Sequence, residues 1–311
     1  MSVSNGRLPN LLIAGVPKAG TSSLFAYLTQ HPDICGADKK ELGYFNYFNP
    51  LRHTDHEPPP TASYKKHFAH CIGQRYALEA TPSYCYGGKP VVEGVKEVLK
   101  HPKIIITLRD PVDRLWSAYT FQRTLGNIPD IRSYGEYLSV CEQRRRNGTD
   151  LDPGCHLQGL SIGFYEDYID LWLDAFGDDL KVVFAEDLFQ EPLKVVKELL
   201  CWLEIDTESI PVMDLEARNV TKHAHSPKVA RAVYSLKRVG DRYRLLPPAL
   251  RDGLRRAYSR LNAGELSERQ DPAVRRHAEE IYRTSNRTTA EALAAHGYRN
   301  LPAWLQVGSG M

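Results

Sequence analysis

Charge of one sign is missing: 38 acidic residues stand against 40 basic ones across 311 positions, for a net charge of +2. No global field draws such a chain to nucleic acid or to an anionic membrane, so any anion binding has to be local. Long apolar runs are missing too, and no segment reads as a membrane span. Residues 1–10 have neither the basic start nor the apolar core of a signal peptide, and the expectation is a cytoplasmic chain without a membrane partner. Cysteine is sparse. Cys35, Cys71, Cys85, Cys141, Cys155 and Cys201 stand apart, with no C-x-x-C pair and no His at metal-ligand spacing, so free thiols and no bound metal are expected. There is no internal repeat and no low-complexity tract. What is present is 42% hydrophobic and 25% charged, ordinary globular material for one sizeable core, and a single domain over 1–311 is expected.

Short continuous apolar runs carry the organisation. Leu11-Leu-Ile-Ala-Gly-Val16, Tyr76-Ala-Leu-Glu-Ala80, Lys103-Ile-Ile-Ile-Thr-Leu108 and Leu180-Lys-Val-Val-Phe-Ala185 suit strands buried on both faces of a parallel sheet. Between them lie stretches of helical periodicity: Ser22 to Gln30, Pro111 to about Gln122, and Phe164 to Phe176. Beyond Asp187 strand signals stop, and Pro192 to Leu203, Lys228 to Arg238 and Pro272 to Ala295 read as helices. The expected fold is therefore α/β, a P-loop-like central parallel sheet flanked by helices, with a helical C-terminal third. His53 to Thr61 and Gly148 to Gly163 read as loops, where such folds commonly carry a substrate.

Gly15-Val-Pro-Lys-Ala-Gly-Thr-Ser-Ser-Leu24 falls between the first strand and the first helix. Backbone N–H groups and the positive helix end make an anion site there. Lys18 adds a point charge, Ala19 and Gly20 add close-approaching backbone, and Thr21 and Ser22 add hydroxyls. The nucleotide-triphosphate loop G-x-x-x-x-G-K-[ST] is matched at Gly15, Gly20 and Ser22, but Thr21 stands where its essential Lys belongs. The cation has moved three places upstream. A second segment, Ile104-Ile-Ile-Thr-Leu-Arg-Asp-Pro-Val-Asp-Arg-Leu-Trp-Ser117, puts Arg109 at the end of a buried strand and Asp110 where it can cap a helix begun by Pro111. Ser117 follows about two turns in, placed to share an anion with Arg109. Asp113 and Arg114 read as helix-surface pairing.

Pro17-Lys-Ala-Gly-Thr-Ser-Ser-Leu24 resembles the 5′-phosphosulfate loop of sulfotransferases that use 3′-phosphoadenosine 5′-phosphosulfate (PAPS), and the Arg109 segment resembles their 3′-phosphate site. The resemblance implies PAPS as donor and adenosine 3′,5′-bisphosphate (PAP) as product. It implies Lys18 through Ser22 at the 5′ side, and Arg109 with Ser117 at the 3′-phosphate. Lys39-Lys-Glu-Leu-Gly-Tyr-Phe-Asn-Tyr-Phe48 resembles the Lys-Glu-x-x-Phe-Phe segment of the branch that includes the heparan sulfate enzymes, which implies Glu41 as catalytic base. Leu78-Glu-Ala-Thr-Pro-Ser-Tyr84 is similar to that branch's acceptor loop, with Ala80 where a Lys is usual. Gly43 and Asn46 stand where the glucosaminyl enzymes carry His and Asp. These departures remove charged groups that would grip an anionic sugar, so a small-molecule or carbohydrate-like acceptor of lower charge is expected. Tyr165, Trp172 and Phe176 read as packing, and Lys222, His223 and His225 stand in a loop open to two readings, closure over the nucleotide or solvated surface, with no carboxylate or Cys at a spacing that would make them metal ligands.

The expected function is transfer of a sulfuryl group from PAPS to a hydroxyl or amine, with Lys18 and Glu41 as catalytic residues and no metal. Two alternatives stay open on sequence. One is an ATP- and Mg²⁺-dependent kinase with Asp110 as its metal-holding acid, against which the displaced Lys argues. The other is a non-catalytic nucleotide-binding module.

Overall fold

A computed structural model describes residues 6–49, 57–150, 156–208, 223–224, 263–264 and 269–306. The chain divides into two compact units, one of Met1–Asp110, Phe164–Arg218 and Arg283–Met311, the other of Pro111–Gly163 and Asn219–Tyr282.

The first unit is built on five strands, β1 (Leu11–Gly15), β2 (Ile34–Gly36), β3 (Tyr76–Ala80), β4 (Lys103–Leu108) and β5 (Leu180–Phe184), in the order β2-β3-β1-β4-β5. Every pairing is parallel, with Leu11 opposite Leu78 on one side and Lys103 on the other. All residues of β1 and β3 are buried, as continuous apolar runs in a sheet covered on both faces should be. On one face Leu11, Ile13, Leu78, Ile105 and Val183 pack with Leu24 and Leu28 of α1 (Thr21–Leu28) and with Val195, Val196, Leu199 and Leu200 of α8 (Pro192–Trp202). Alternation along the strands sends Leu12, Glu79 and Ile104 to the other face. There α3 (Gly88–Leu99) packs against α6 (Ile169–Phe176) and against the 3₁₀ turn Tyr44–Phe48. The helices α2 (Thr61–Lys65) and α7 (Ala185–Gln190) complete this unit's short elements.

The second unit holds α4 (Pro111–Thr124), α5 (Tyr134–Arg146) and an antiparallel pair of two-residue strands, β6 (His223–Ala224) and β7 (Ala263–Gly264). Trp116 and Tyr119 of α4 pack on Tyr134, with ring centroids 4.9 and 5.5 Å away. The last helix, α9, runs from Pro272 to Ala295.

The four expected strands and the P-loop-like parallel sheet are present. Several details differ. Strand β2 is an addition, since three residues are too few to show a pattern in the sequence. The expected helix from Phe164 breaks into a 3₁₀ turn, Tyr165–Asp167, and α6, separated by Tyr168 at φ −151°. The helical C-terminal third holds for α8 and α9, while β6 and β7 add a strand pair to it. The expected helix Lys228 to Arg238 lies outside the described residues, as do Lys222 and His225. Arg114 is no surface partner: it is fully buried and donates to the Gly159 carbonyl, because its side of α4 turns inward. Asp113 does pair, with Arg275 at 2.6 Å.

The expectation of free thiols fails at Cys35 and Cys71, which form a disulfide between β2 and the segment after Lys66–Phe68, with Cα atoms 5.6 Å apart. The two are separated by 36 residues, so nothing local announces the pair. Cys85, Cys141 and Cys201 form no disulfide among the described residues, and Cys155 lies outside them. No helix among the described residues is long and apolar enough to cross a membrane.

Candidate active site

Five parallel strands place their carboxyl ends at one edge of the sheet, the usual place for a ligand in an open α/β fold. The loops that leave β1, β2, β3 and β4 there carry Lys18, Glu41, Thr81 and Arg109 respectively, and α7, which follows β5 directly, carries Glu186. The loop after β1 is fixed at its base: the Val16 N–H donates to the Thr107 carbonyl at 2.8 Å, and the Thr107 hydroxyl donates back to the Gly15 carbonyl at 2.9 Å. Lys18 and Gly20 have left-handed backbones, at φ 73° and 85°. A Cβ on Gly20 would stand 2.9 Å from Leu188 and 3.1 Å from Phe189, so the position needs glycine both for its conformation and for its contact with α7. Helix α1 starts at Thr21 with no side-chain cap and no acid in its first turn. The amino end of such a helix favours an anion. Thr21 is buried and Ser22 half-buried.

Arg109 follows β4. One guanidinium nitrogen donates to the Lys18 carbonyl at 3.3 Å, and the guanidinium carbon lies over the Phe189 ring, 5.6 Å from its centroid. Among the described residues Arg109 makes no ion pair, so none of their acids neutralises its charge. Its own carbonyl accepts from the Tyr165 hydroxyl at 2.6 Å, and the next amide, of Asp110, donates to Glu186 Oε1 at 2.8 Å. The structure therefore brings Lys18 and Arg109 together. Ser117 lies half-buried on α4 in the second unit, where its carbonyl accepts from the Thr120 hydroxyl.

Glu41 sits in a tight turn, itself at φ 63°, with Gly43 at φ 70°. The turn hangs from the end of β3: the Glu41 N–H donates to the Ala80 carbonyl at 3.0 Å, and the Gly43 N–H to the Thr81 hydroxyl at 3.2 Å. The Glu41 carboxylate is 61% exposed and pairs with Lys40 at 2.9 Å. Below this turn lies Glu79, wholly buried in an apolar strand, which accepts from the hydroxyls of Tyr64, Thr81 and Tyr84. Burial pushes its carboxyl above the ordinary range, and the three hydroxyls pull it part of the way back. Tyr64 in turn stacks on Tyr44 at 4.3 Å. Thr81 thus links the buried acid to the turn that carries Glu41. Asn46 accepts from the Ser83 hydroxyl at 3.0 Å, which closes the same loop pair.

The loop after β1, Arg109 after β4 and the turn that carries Glu41 all fall within a stretch shared with known proteins. The sulfotransferase domain family matches residues 8–229. The chain belongs to the sulfotransferase family. A membrane-associated sulfotransferase of Dictyostelium discoideum is 37% identical over a match that takes in 70% of this chain and 60% of that protein. A heparan sulfate glucosamine 3-O-sulfotransferase of Mus musculus is 29% identical over 65% of this chain and 48% of that protein. The match thus spans about half to three fifths of these relatives' own lengths. A crystal structure of a sulfotransferase from Alicyclobacillus acidocaldarius shares the fold, with a TM-score of 0.67 at 23% identity over 96% of this chain and 99% of that one.

Beside the candidate residues of this sulfotransferase domain stand three to which the sequence assigned no role. Glu79 stands in the Leu78–Tyr84 segment likened to the acceptor loop without a role of its own, and Glu186 and Phe189 lie on α7, a helix the sequence pattern did not show. Tyr165 and Trp172, expected to pack, are wholly buried and also donate hydrogen bonds, to the Arg109 and Cys85 carbonyls. Cys35, His70 and Cys71 are the one group of metal-ligand type that the described residues bring within 4.8 Å, and two of its three sulfur and nitrogen donors are already bonded to each other.

Proposed function

We propose that the chain transfers a sulfuryl group from PAPS to a hydroxyl or amine of a small-molecule or carbohydrate-like acceptor. The observation that carries the reading is the junction of the phosphate loop with Arg109: a left-handed Lys18 whose carbonyl is held by an arginine that no acid among the described residues neutralises. In this reading Lys18 and the first amides of α1 stabilise charge developing on the leaving 5′-phosphate. Arg109 and, by the resemblance of its segment, Ser117 fix the nucleotide through its 3′-phosphate. Glu41 accepts the acceptor's proton as its oxygen or nitrogen bonds to sulfur in line with the departing phosphate. The exposure of the Glu41 carboxylate suits a base that meets a substrate arriving from solvent. Gly43, Asn46 and the wholly buried Ala80 offer no charge to the acceptor, which supports one of low negative charge. No role is assigned to a metal.

Thermal unfolding tests the reading against the kinase alternative. PAP should raise the melting temperature well above any shift given by ATP with Mg²⁺, since binding to the folded state alone stabilises it in proportion to the logarithm of ligand over Kd. Equal or larger stabilisation by ATP would transfer the site to the kinases.

A further inference from the structure

We infer that Phe189 makes this site selective for nucleotides bearing a 3′-phosphate, by holding the Arg109 guanidinium from its face and leaving its donor edge open. The inference rests on the assignment of Arg109 to the 3′-phosphate proposed above. A guanidinium carries five N–H donors in a flat fork, and a carboxylate partner would both orient it and occupy that fork. Arg109 has no such partner among the described residues. Instead the cation lies over the ring of Phe189 at 5.6 Å, within the range of a cation–π contact, and spends one donor on the Lys18 carbonyl at 3.3 Å. An aromatic ring holds an arginine through its π face, so the in-plane hydrogen-bonding edge and the full positive charge remain for an anion.

The ring packs against the phosphate loop. Phe189 is 46% exposed, but its inner edge meets Gly20 of the phosphate loop, where a Cβ would stand 3.1 Å from Phe189 Cε1. Its neighbour Leu188 is buried in the core. Glu186, one turn earlier on the same helix, accepts from the Asp110 amide at 2.8 Å and so ties α7 to the residue after Arg109. One helix therefore touches the loop on the 5′ side and the arginine on the 3′ side. That arrangement couples the spacing of the two to the presence of the ring.

Calorimetric titration of the full chain with PAP and with adenosine 5′-monophosphate, the weaker ligand measured by displacement, separates the possibilities. Phe189→Leu should weaken PAP binding about three- to tenfold and leave the monophosphate within about twofold, because only the 3′-phosphate needs the held guanidinium. Phe189→Tyr, which restores an aromatic face, should return both affinities to within about twofold of the parent. Equal loss for both nucleotides would mean that the ring contacts the nucleoside itself, and no loss would make it a bystander; either result overturns the inference. Arg109→Ala distinguishes the two levels of the argument. If it leaves the ratio of the two affinities unchanged, the 3′-phosphate assignment itself fails; if it collapses the ratio while Phe189→Leu does not, the assignment survives and only the role of the ring is lost.

Discussion

Replacing Glu79 by Gln keeps the shape of a buried side chain and removes its capacity to ionise. Three hydroxyls converge on the carboxylate, from Tyr64, Thr81 and Tyr84. The single carbonyl oxygen of a glutamine accepts at most two of them, so one hydroxyl must turn and donate elsewhere. Bonds to a charged group contribute about 1.5–3 kcal/mol and neutral ones about 0.5–1.5, so weakening three costs roughly 3 kcal/mol. Against this, the variant no longer takes an ion out of water, which costs several kcal/mol for a buried carboxylate. The two nearly cancel, and the stability near neutral pH should change by less than about 2 kcal/mol. The slope with pH is more telling. Burial holds the folded Glu79 above its ordinary value of 4.5, so the native chain keeps this proton after the unfolded chain has released it. The resulting stabilisation is complete below 4.5 and is lost as pH rises through the folded value, at up to about 1.4 kcal/mol per pH unit. The Glu79→Gln variant would have no such slope. Urea unfolding followed by tryptophan fluorescence from about pH 4 to about pH 8 should therefore show the parent losing stability relative to Glu79→Gln as pH rises. A difference that stays flat or grows in the parent's favour with pH would refute the reasoning, and would mean that the three hydroxyls hold the group ionised against its burial.

Glu41→Gln should lower turnover on the true acceptor by roughly 10²- to 10⁴-fold with PAP affinity nearly unchanged, whereas Lys18→Ala should weaken both, as read from labelled sulfate transfer and nucleotide titration. Turnover within a few-fold of the parent in Glu41→Gln would reduce that residue to a charged turn. Reduction of Cys35–Cys71, or its replacement by two serines, should cost about 2–4 kcal/mol in urea unfolding, given the 36 residues it spans. An unchanged midpoint would show that the bridge closes no entropy in the unfolded chain.

The parts that could be read in the sequence are those whose physics is local. Lys18, Gly20 and Arg109 lie within a few residues of the strand ends and helix starts that give them meaning, so loop and strand can be read together. The strands themselves declare their double burial by unbroken apolar composition. What stayed hidden depends on partners distant along the chain. Glu79 looks misplaced in Tyr76-Ala-Leu-Glu-Ala80 until Tyr64, Thr81 and Tyr84 are brought around it by separate segments. Phe189 looks like one more apolar residue on a helix until Arg109 is placed over it. Helix α3 begins at Gly88-Lys-Pro, a first turn without apolar periodicity, so its start is not marked in the sequence although Val91, Val92 and Val95 bury one face.

The middle position of β1 has a consequence for how the protein is made. This strand is apolar on both faces and pairs with β3 on one side and β4 on the other, so neither edge can be satisfied by the sequence that immediately follows it. Lys18 and Arg109, which meet at the site, are 91 residues apart. At ribosomal speeds of about 5–20 residues per second, the first strand emerges roughly 5–20 s before its second partner exists. During that interval a nascent chain presents Leu11-Leu-Ile-Ala-Gly15 with both edges unpaired, a segment that chaperones would have reason to hold and that no early fragment of the chain can bury.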